Sequence, residues 1–133
     1  PLLRIWVRYF ELRLLSLSGY QPELFSCVEC RATIRPETNF FSLEQGGLLC
    51  NRCGQGEPRA RAVSINAQKV MRYMQSRGPD EVRRLRITKT THAEIESLLH
   101  SYLEYTLECE LKSVAFLHRL RRELREAERA SAR

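Results

Sequence analysis

The chain has 133 residues, 43% of them hydrophobic, with 22 Lys and Arg against 16 Asp and Glu for a net charge of +6. That length and apolar content suit one domain with its own core, and no apolar run is long enough to cross a bilayer. No stretch has the layout of a secretion signal, so a soluble, cytoplasmic protein is expected rather than a secreted disulfide scaffold.

In chain order, the first element is a helix from Leu2 to Leu17. Leu3, Ile5, Trp6, Val7, Tyr9, Phe10, Leu12, Leu14 and Leu15 leave Arg4, Arg8 and Glu11 only a narrow polar stripe. A helix apolar nearly all round is covered on several sides. It is either the central helix of this domain or a helix with one face against a neighbouring domain. Because the chain opens at Pro1 directly on this helix, it reads as a segment of a longer protein. Gly19 supplies the stop, with Pro22 just beyond.

Cys27, Cys30, Cys50 and Cys53 come next, as C-x2-C-x19-C-x2-C. Two residues between thiols allow a tight turn that puts both sulfurs within bonding reach of one ion, and four thiolates close a tetrahedral shell with no position left for a catalytic water. The competing readings are a redox C-x-x-C, which would be expected beside a strand opening a helix, and a pair of disulfides, which would suit a secreted chain. A single structural Zn2+ held by all four thiols is the reading this spacing supports best. Cys109 stands apart in a helical pattern and reads as a packed thiol.

Between the pairs, Asn39–Leu43 and Leu48–Leu49 flank Glu44-Gln45-Gly46-Gly47, a hairpin in which the two glycines supply the positive φ of the turn. Gly54 after Cys53 suits a tight knuckle, whereas Arg31 after Cys30 tolerates positive φ less easily. A ribbon this small depends on its ion for much of its stability.

Three further helices follow. Ser64 caps one carrying Ala67, Val70, Met71 and Met74 and ending near Gly78-Pro79. Thr91 and Glu94 form a capping box ahead of Ile95, Leu98, Leu99, Tyr102, Leu103 and Thr106. Ser113 caps the last, where Leu117, Leu120 and Leu124 share a face. The expected fold is mainly α: one helical domain over residues 1–133, with a four-cysteine zinc ribbon, a small β-hairpin, inserted at about residues 25–56.

The charge is concentrated. Residues 59–89 carry nine Lys and Arg against two acids, whereas the segments before and after are close to neutral. Arg59, Arg61, Lys69, Arg72, Arg83, Arg84, Arg86 and Lys89 are therefore the candidate surface for a polyanion or an acidic partner. Tyr73 is the one aromatic in that stretch, so base-specific reading is not expected. The arginines of the last helix read as a solvated face, or as partners for the acidic helix before it. No phosphate loop, nucleophile elbow or H-E-x-x-H motif is present, and no catalytic residue is assigned.

The blocks Tyr9-Phe10-Glu11-Leu12-Arg13-Leu14-Leu15 through Gly19-Tyr20-Gln21-Pro22, Cys27-Val28-Glu29-Cys30, and Gly46-Gly47-Leu48-Leu49-Cys50-Asn51-Arg52-Cys53, followed by Tyr102-Leu103-Glu104-Tyr105, resemble the C-terminal part of the bacterial RecO family over nearly the whole chain. The resemblance implies a non-enzymatic DNA repair and recombination mediator of the RecF pathway. Such proteins bind and anneal single- and double-stranded DNA and, with RecR, help load RecA onto strands covered by single-strand-binding protein. It also implies that the four cysteines are zinc ligands, that the helical domain binds the acidic tail of single-strand-binding protein, that an OB-fold precedes this part, and that the protein is nucleoid-associated. The alternative is a scaffold that binds partner proteins and little DNA.

Overall fold

The computed structural model describes residues 2–132. The chain forms two units, one up to Leu103 and one from Glu104 onwards. Its elements are α1 (Leu2–Leu17), β1 (Asn39–Ser42), β2 (Gly47–Leu49), α2 (Asn51–Gln55), β3 (Arg61–Val63), α3 (Ile65–Ser76), α4 (Pro79–Val82) and α5 (Lys89–Ser131).

Helix α1 ends as its glycine requires. Gly19 has φ 85°, the Tyr20 N–H donates to Leu15 O at 2.8 Å and the Gly19 N–H to Ser16 O at 3.3 Å, a Schellman closure that satisfies two of the last carbonyls. Ile5, Tyr9, Leu12 and Leu15 are buried, at helical spacing. Leu3, Phe10, Leu14 and Leu17 are exposed, so one face of this helix packs in its own unit and the other does not.

The sheet has three antiparallel strands in the order β2-β1-β3, one more than the expected hairpin. Phe41 pairs with Leu48 on one side and Arg61 on the other. β3 escaped the sequence reading because Arg61-Ala62-Val63 is three residues long with one apolar side chain pointing inward, too short to show a period. Only Gly46 of the turn has positive φ, 71°. Gly47 serves another purpose: a Cβ there would lie 2.7 Å from Glu23 O, where the chain after α1 pairs alongside β2.

Sheet and helices share one core. Phe41, Leu48, Leu49 and Val63 are buried with Met71 and Met74 of α3 and Ile95, Leu98 and Leu99 of α5. The Phe41 and Tyr102 rings meet edge to face at 5.3 Å, and the Tyr102 hydroxyl donates to Tyr20 O at 3.0 Å. Two buried amides bind the layers. Asn39 Nδ2 donates to Gln68 Oε1 at 2.9 Å, and Gln68 Nε2 donates to Val63 O at 2.9 Å and Glu37 O at 3.0 Å.

The caps differ from the expectation in an informative way. Ser64 does cap α3, its hydroxyl accepting from the Ala67 N–H at 3.2 Å. Glu94 does not close a box on its own helix. Its carboxylate reaches α3 instead, accepting from the Ser64 N–H at 2.7 Å and the Ser64 hydroxyl at 2.6 Å, so the reciprocal half of that capping box is supplied from another helix. Thr88 caps α5, accepting from the Thr91 N–H at 3.2 Å.

The expected break at Ser113 is absent. α5 runs unbroken for 43 residues, and the Ser113 hydroxyl donates back to Cys109 O at 3.0 Å inside the helix. Serine is a weak stop on its own, and Lys89–Ser131 contains neither Gly nor Pro to interrupt the ladder. The acidic and basic segments therefore belong to one continuous helical stretch, Lys89–Ser131. In the unit from Glu104 onwards, Leu107, Leu111, Val114, Phe116, Leu117, Leu120 and Leu124 are all exposed.

Candidate metal centre and basic cleft

Two differently built knuckles deliver the four thiols. Cys27 and Cys30 sit on a loop closed by the Arg31 N–H donating to Cys27 O at 2.9 Å and the Cys27 N–H donating to Ala32 O at 2.8 Å. Arg31 is left-handed, with φ 67°, so the strained position anticipated from the sequence is real and is occupied by a residue with a Cβ. Cys50 is the N-cap of the short helix α2 and Cys53 lies within its single turn, where the Gly54 N–H donates to Cys50 O at 2.8 Å. Gly54 is helical, not left-handed. It is needed for close approach, since a Cβ at that position would fall 2.1 Å from Cδ2 of the Phe40 ring.

The four sulfurs all lie within 4.8 Å of one another, and Cys30 and Cys50 are 3.8 Å apart. A tetrahedron with metal–sulfur bonds of about 2.3 Å has edges of about 3.8 Å, so the spacing suits four thiolates around one ion. It is far too long for S–S bonds, and all five cysteines are free thiols.

The electrostatics of the quartet are split. Burial pushes the Cys27 thiol up, but backbone N–H groups of Cys30, Cys50 and Glu29 directed at its sulfur, with the Cys30 thiol, outweigh it and bring the group down to about 6. Cys53 is driven the other way, to about 12, by its hydrogen bond to Cys50, by burial and by its hydrogen bonds to Cys30 and Cys27. Four sulfurs this close cannot all ionise against one another. A soft divalent cation removes that conflict and lets every thiol act as a thiolate ligand. With four sulfur donors the shell is full, and the site could hold zinc but has no place for a substrate.

The basic candidates divide in two. Arg83, Arg84, Arg86 and Lys89 are exposed and meet, between α4 and the start of α5, at a cleft of about 580 Å³. Arg4 of α1 joins them, Ile5, Leu85 and Ile87 supply apolar lining, and His92 completes it. Among the described residues, no acid lines the cleft. His92 is buried, its Nδ1 is 3.6 Å from Glu96, and its Nε2 has no hydrogen-bond partner.

The other four lie elsewhere. Arg61 donates to Ser101 Oγ at 3.2 Å and also bonds Ser97, fastening β3 to α5. Arg72 donates to Leu24 O at 3.0 Å and lies over the Phe25 ring, and burial lowers its pKa. Arg59 pairs with Glu44 at 2.9 Å on the surface, and Lys69 is exposed on α3. Sequence reading missed Arg4 and His92 as members of the cleft, because no local pattern announces that α1 passes beside the segment after α4. A second, mainly basic strip, His118, Arg121, Arg122, Arg125 and Arg129 with Glu126 among them, follows the exposed end of α5.

The profile of the family described as "Recombination protein O C terminal" matches residues 3–115. A DNA repair protein RecO from Roseiflexus sp. (strain RS-1) is 42% identical over 125 residues, covering 94% of this chain and 44% of that protein. The RecO proteins of Dehalococcoides mccartyi (strain ATCC BAA-2266) and Desulforamulus reducens are each 36% identical, over 115 and 114 residues, covering 86% of this chain and 45% and 44% of theirs. The chain thus spans a little under half the length of these relatives. No solved structure matches it.

Proposed function

The chain belongs to the recombination protein O family, matching that family's C-terminal region, and on that premise we propose that it is the zinc-braced, DNA-contacting part of a non-enzymatic DNA repair mediator. In this reading Cys27, Cys30, Cys50 and Cys53 hold one structural Zn2+, and the protein acts in the cytoplasm, at the nucleoid, with RecR and single-strand-binding protein to assist RecA loading in the RecF pathway. The whole assembly works by binding and annealing strands, with no bond made or broken by this chain.

One observation carries the DNA reading: five cations, Arg4, Arg83, Arg84, Arg86 and Lys89, gather around a cleft that no acid among the described residues lines. Phosphates neutralised there would release counterions and make retention steeply salt-dependent. Reversing Arg83, Arg84 and Arg86 to Glu is expected to weaken retention of single-stranded DNA and to reduce the slope of log K against log salt by about 0.7 for each phosphate no longer neutralised. Retention that is indifferent to the triple reversal removes the cleft from the DNA path.

A second reading rests on the same cleft. Its apolar lining, Ile5, Leu85 and Ile87, beneath a basic rim suits an acidic peptide with an apolar end, such as the tail of single-strand-binding protein. Substituting Ile87 by Ser separates the two, because it strips apolar contact from a peptide and leaves the phosphate contacts of DNA in place.

A further inference from the structure

The unit from Glu104 onwards combines three features that a single partner must satisfy together. The first is an apolar stripe: Leu107, Leu111, Val114, Leu117, Leu120 and Leu124 recur in steps of three and four residues, and every one of them is at least 40% exposed. The mean step is 3.4 residues, below the 3.6 of a straight helix, the sense that lets two helices wind left-handed along such a seam. The second is a negative beginning, where residues 104–112 hold Glu104, Glu108 and Glu110 against Lys112. The third is a positive end, where residues 113–132 hold five arginines against three glutamates.

We propose that this segment pairs antiparallel with the same segment of a second copy of the chain, burying the two leucine stripes against each other and setting the acidic half of each helix beside the basic half of its partner. The arrangement is isologous: a two-fold axis near Ala115 and Phe116, midway between Leu107 and Leu124, sets the net-negative residues 104–112 of each helix beside the net-positive residues 119–127 of its partner at both ends. A parallel pair would put acid on acid and arginine on arginine. The stripe supplies affinity, and the charges select direction.

Other occupants meet only part of the pattern. Nucleic acid would take the arginines but leaves the leucines in water and is repelled by the glutamates. An anionic lipid surface accepts the leucines and the arginines, and is repelled by the same acidic half. The inference stands apart from the DNA reading. The family match ends at residue 115, so the basic half of this surface lies past it.

Sedimentation equilibrium of the zinc-loaded chain over a concentration series tests the pairing. The chain is expected to reach dimer mass, and Leu117→Glu with Leu120→Glu to hold it at monomer mass, glutamate being a good helix former at exposed positions. Reversing Glu104, Glu108 and Glu110 to Lys, or Arg121, Arg122 and Arg125 to Glu, is expected to weaken the dimer by about tenfold or more. Combining both sets in one chain restores the charge match and should return the dimer to near its original strength. A chain monomeric at every concentration overturns the proposal, and if the arginine reversals then cost DNA retention, the face belongs to nucleic acid. A dimer that ignores the leucine change, or a combined variant as weak as its parents, overturns it equally.

Discussion

The two thiol pairs have the same two-residue gap and reach one cluster by different backbones. The first is a loop in which Arg31 is held left-handed at φ 67°, and the second is one turn of helix begun by Cys50 as its N-cap. At the first knuckle the cost is conformational, since a Cβ in the left-handed region costs about 1–2 kcal/mol. At the second it is steric, since Gly54 lies so close to Phe40 that no larger residue fits. Spacing between ligands fixes which atoms can meet an ion, and leaves open how the chain arranges the meeting.

Breaking either pair should erase this difference. A structural zinc site contributes about 10–16 kcal/mol of apparent binding free energy at neutral pH, comparable to the whole of the roughly 5–15 kcal/mol by which a domain is stable. Cys27→Ser and Cys50→Ser are each expected to lose the metal and unfold the ribbon. Chelator treatment of the unaltered chain should do the same. The check is one zinc per chain by elemental analysis before chelation, none after, and loss of the thermal transition with it. A serine variant that keeps its full transition without metal would mean that the ribbon stands on its own core.

Gly54→Ala comes next. The new Cβ would lie 2.1, 2.4 and 2.7 Å from three atoms of Phe40, and that residue is fixed in the middle strand of the sheet. Overpacking of this kind costs about 1–3 kcal/mol, and the clash here falls at the upper end, offset in part by alanine's better helix propensity. Chemical denaturation should show a loss of about 2 kcal/mol, and Phe40→Ala in the same chain should recover part of it. The corresponding change at the first knuckle, Ala in place of Arg31, should be close to neutral, since both residues carry a Cβ.

The contrast also shows what was legible in the residues. The gathering of the four thiols was readable, because two C-x-x-C pairs at this separation leave few arrangements open. So were α1, its glycine stop and the Ser64 cap, since each depends on near neighbours in the chain. What escaped was long-range. Asn39 and Gln68 looked like ordinary polar residues, and only the fold makes them the buried joint between β1, β3 and α3. Glu94 stood three residues after Thr91, the local signature of a capping box, yet Ser64 thirty residues away takes its carboxylate. Ser113 looked like a start because serine caps helices, but a cap acts only where something ends the helix before it. The cleft cations were recognised as a charge excess, whereas their convergence with Arg4 depends on packing that no local pattern encodes.

A change that touches neither knuckle sharpens the comparison. Glu94→Ala frees the Ser64 N–H and hydroxyl at the exit of β3, a charge-assisted pair of bonds whose loss costs about 2 kcal/mol. Stability should fall by that amount while zinc affinity, measured by competition with a chromophoric chelator, stays within about twofold of the original. If affinity falls in step with stability, the knuckles are not self-contained, and the strand that leaves the ribbon helps to hold them in place.

Arg31→Gly has a small expected effect of the opposite sign. Glycine adopts φ 67° without the steric penalty, which favours the folded chain by about 1–2 kcal/mol, but its freer unfolded state takes back about 0.5–1 kcal/mol. The net is a gain of about 0.5–1 kcal/mol, visible as a higher denaturation midpoint and slower removal of zinc by chelator. Arg31→Val works on the same backbone from the other direction. A β-branched side chain is poorly tolerated at positive φ, so the midpoint should drop below that of the unaltered chain. Because the Arg31 side chain is exposed, neither change disturbs packing, and the order Gly above Arg above Val would trace the strain to the backbone of the first knuckle alone.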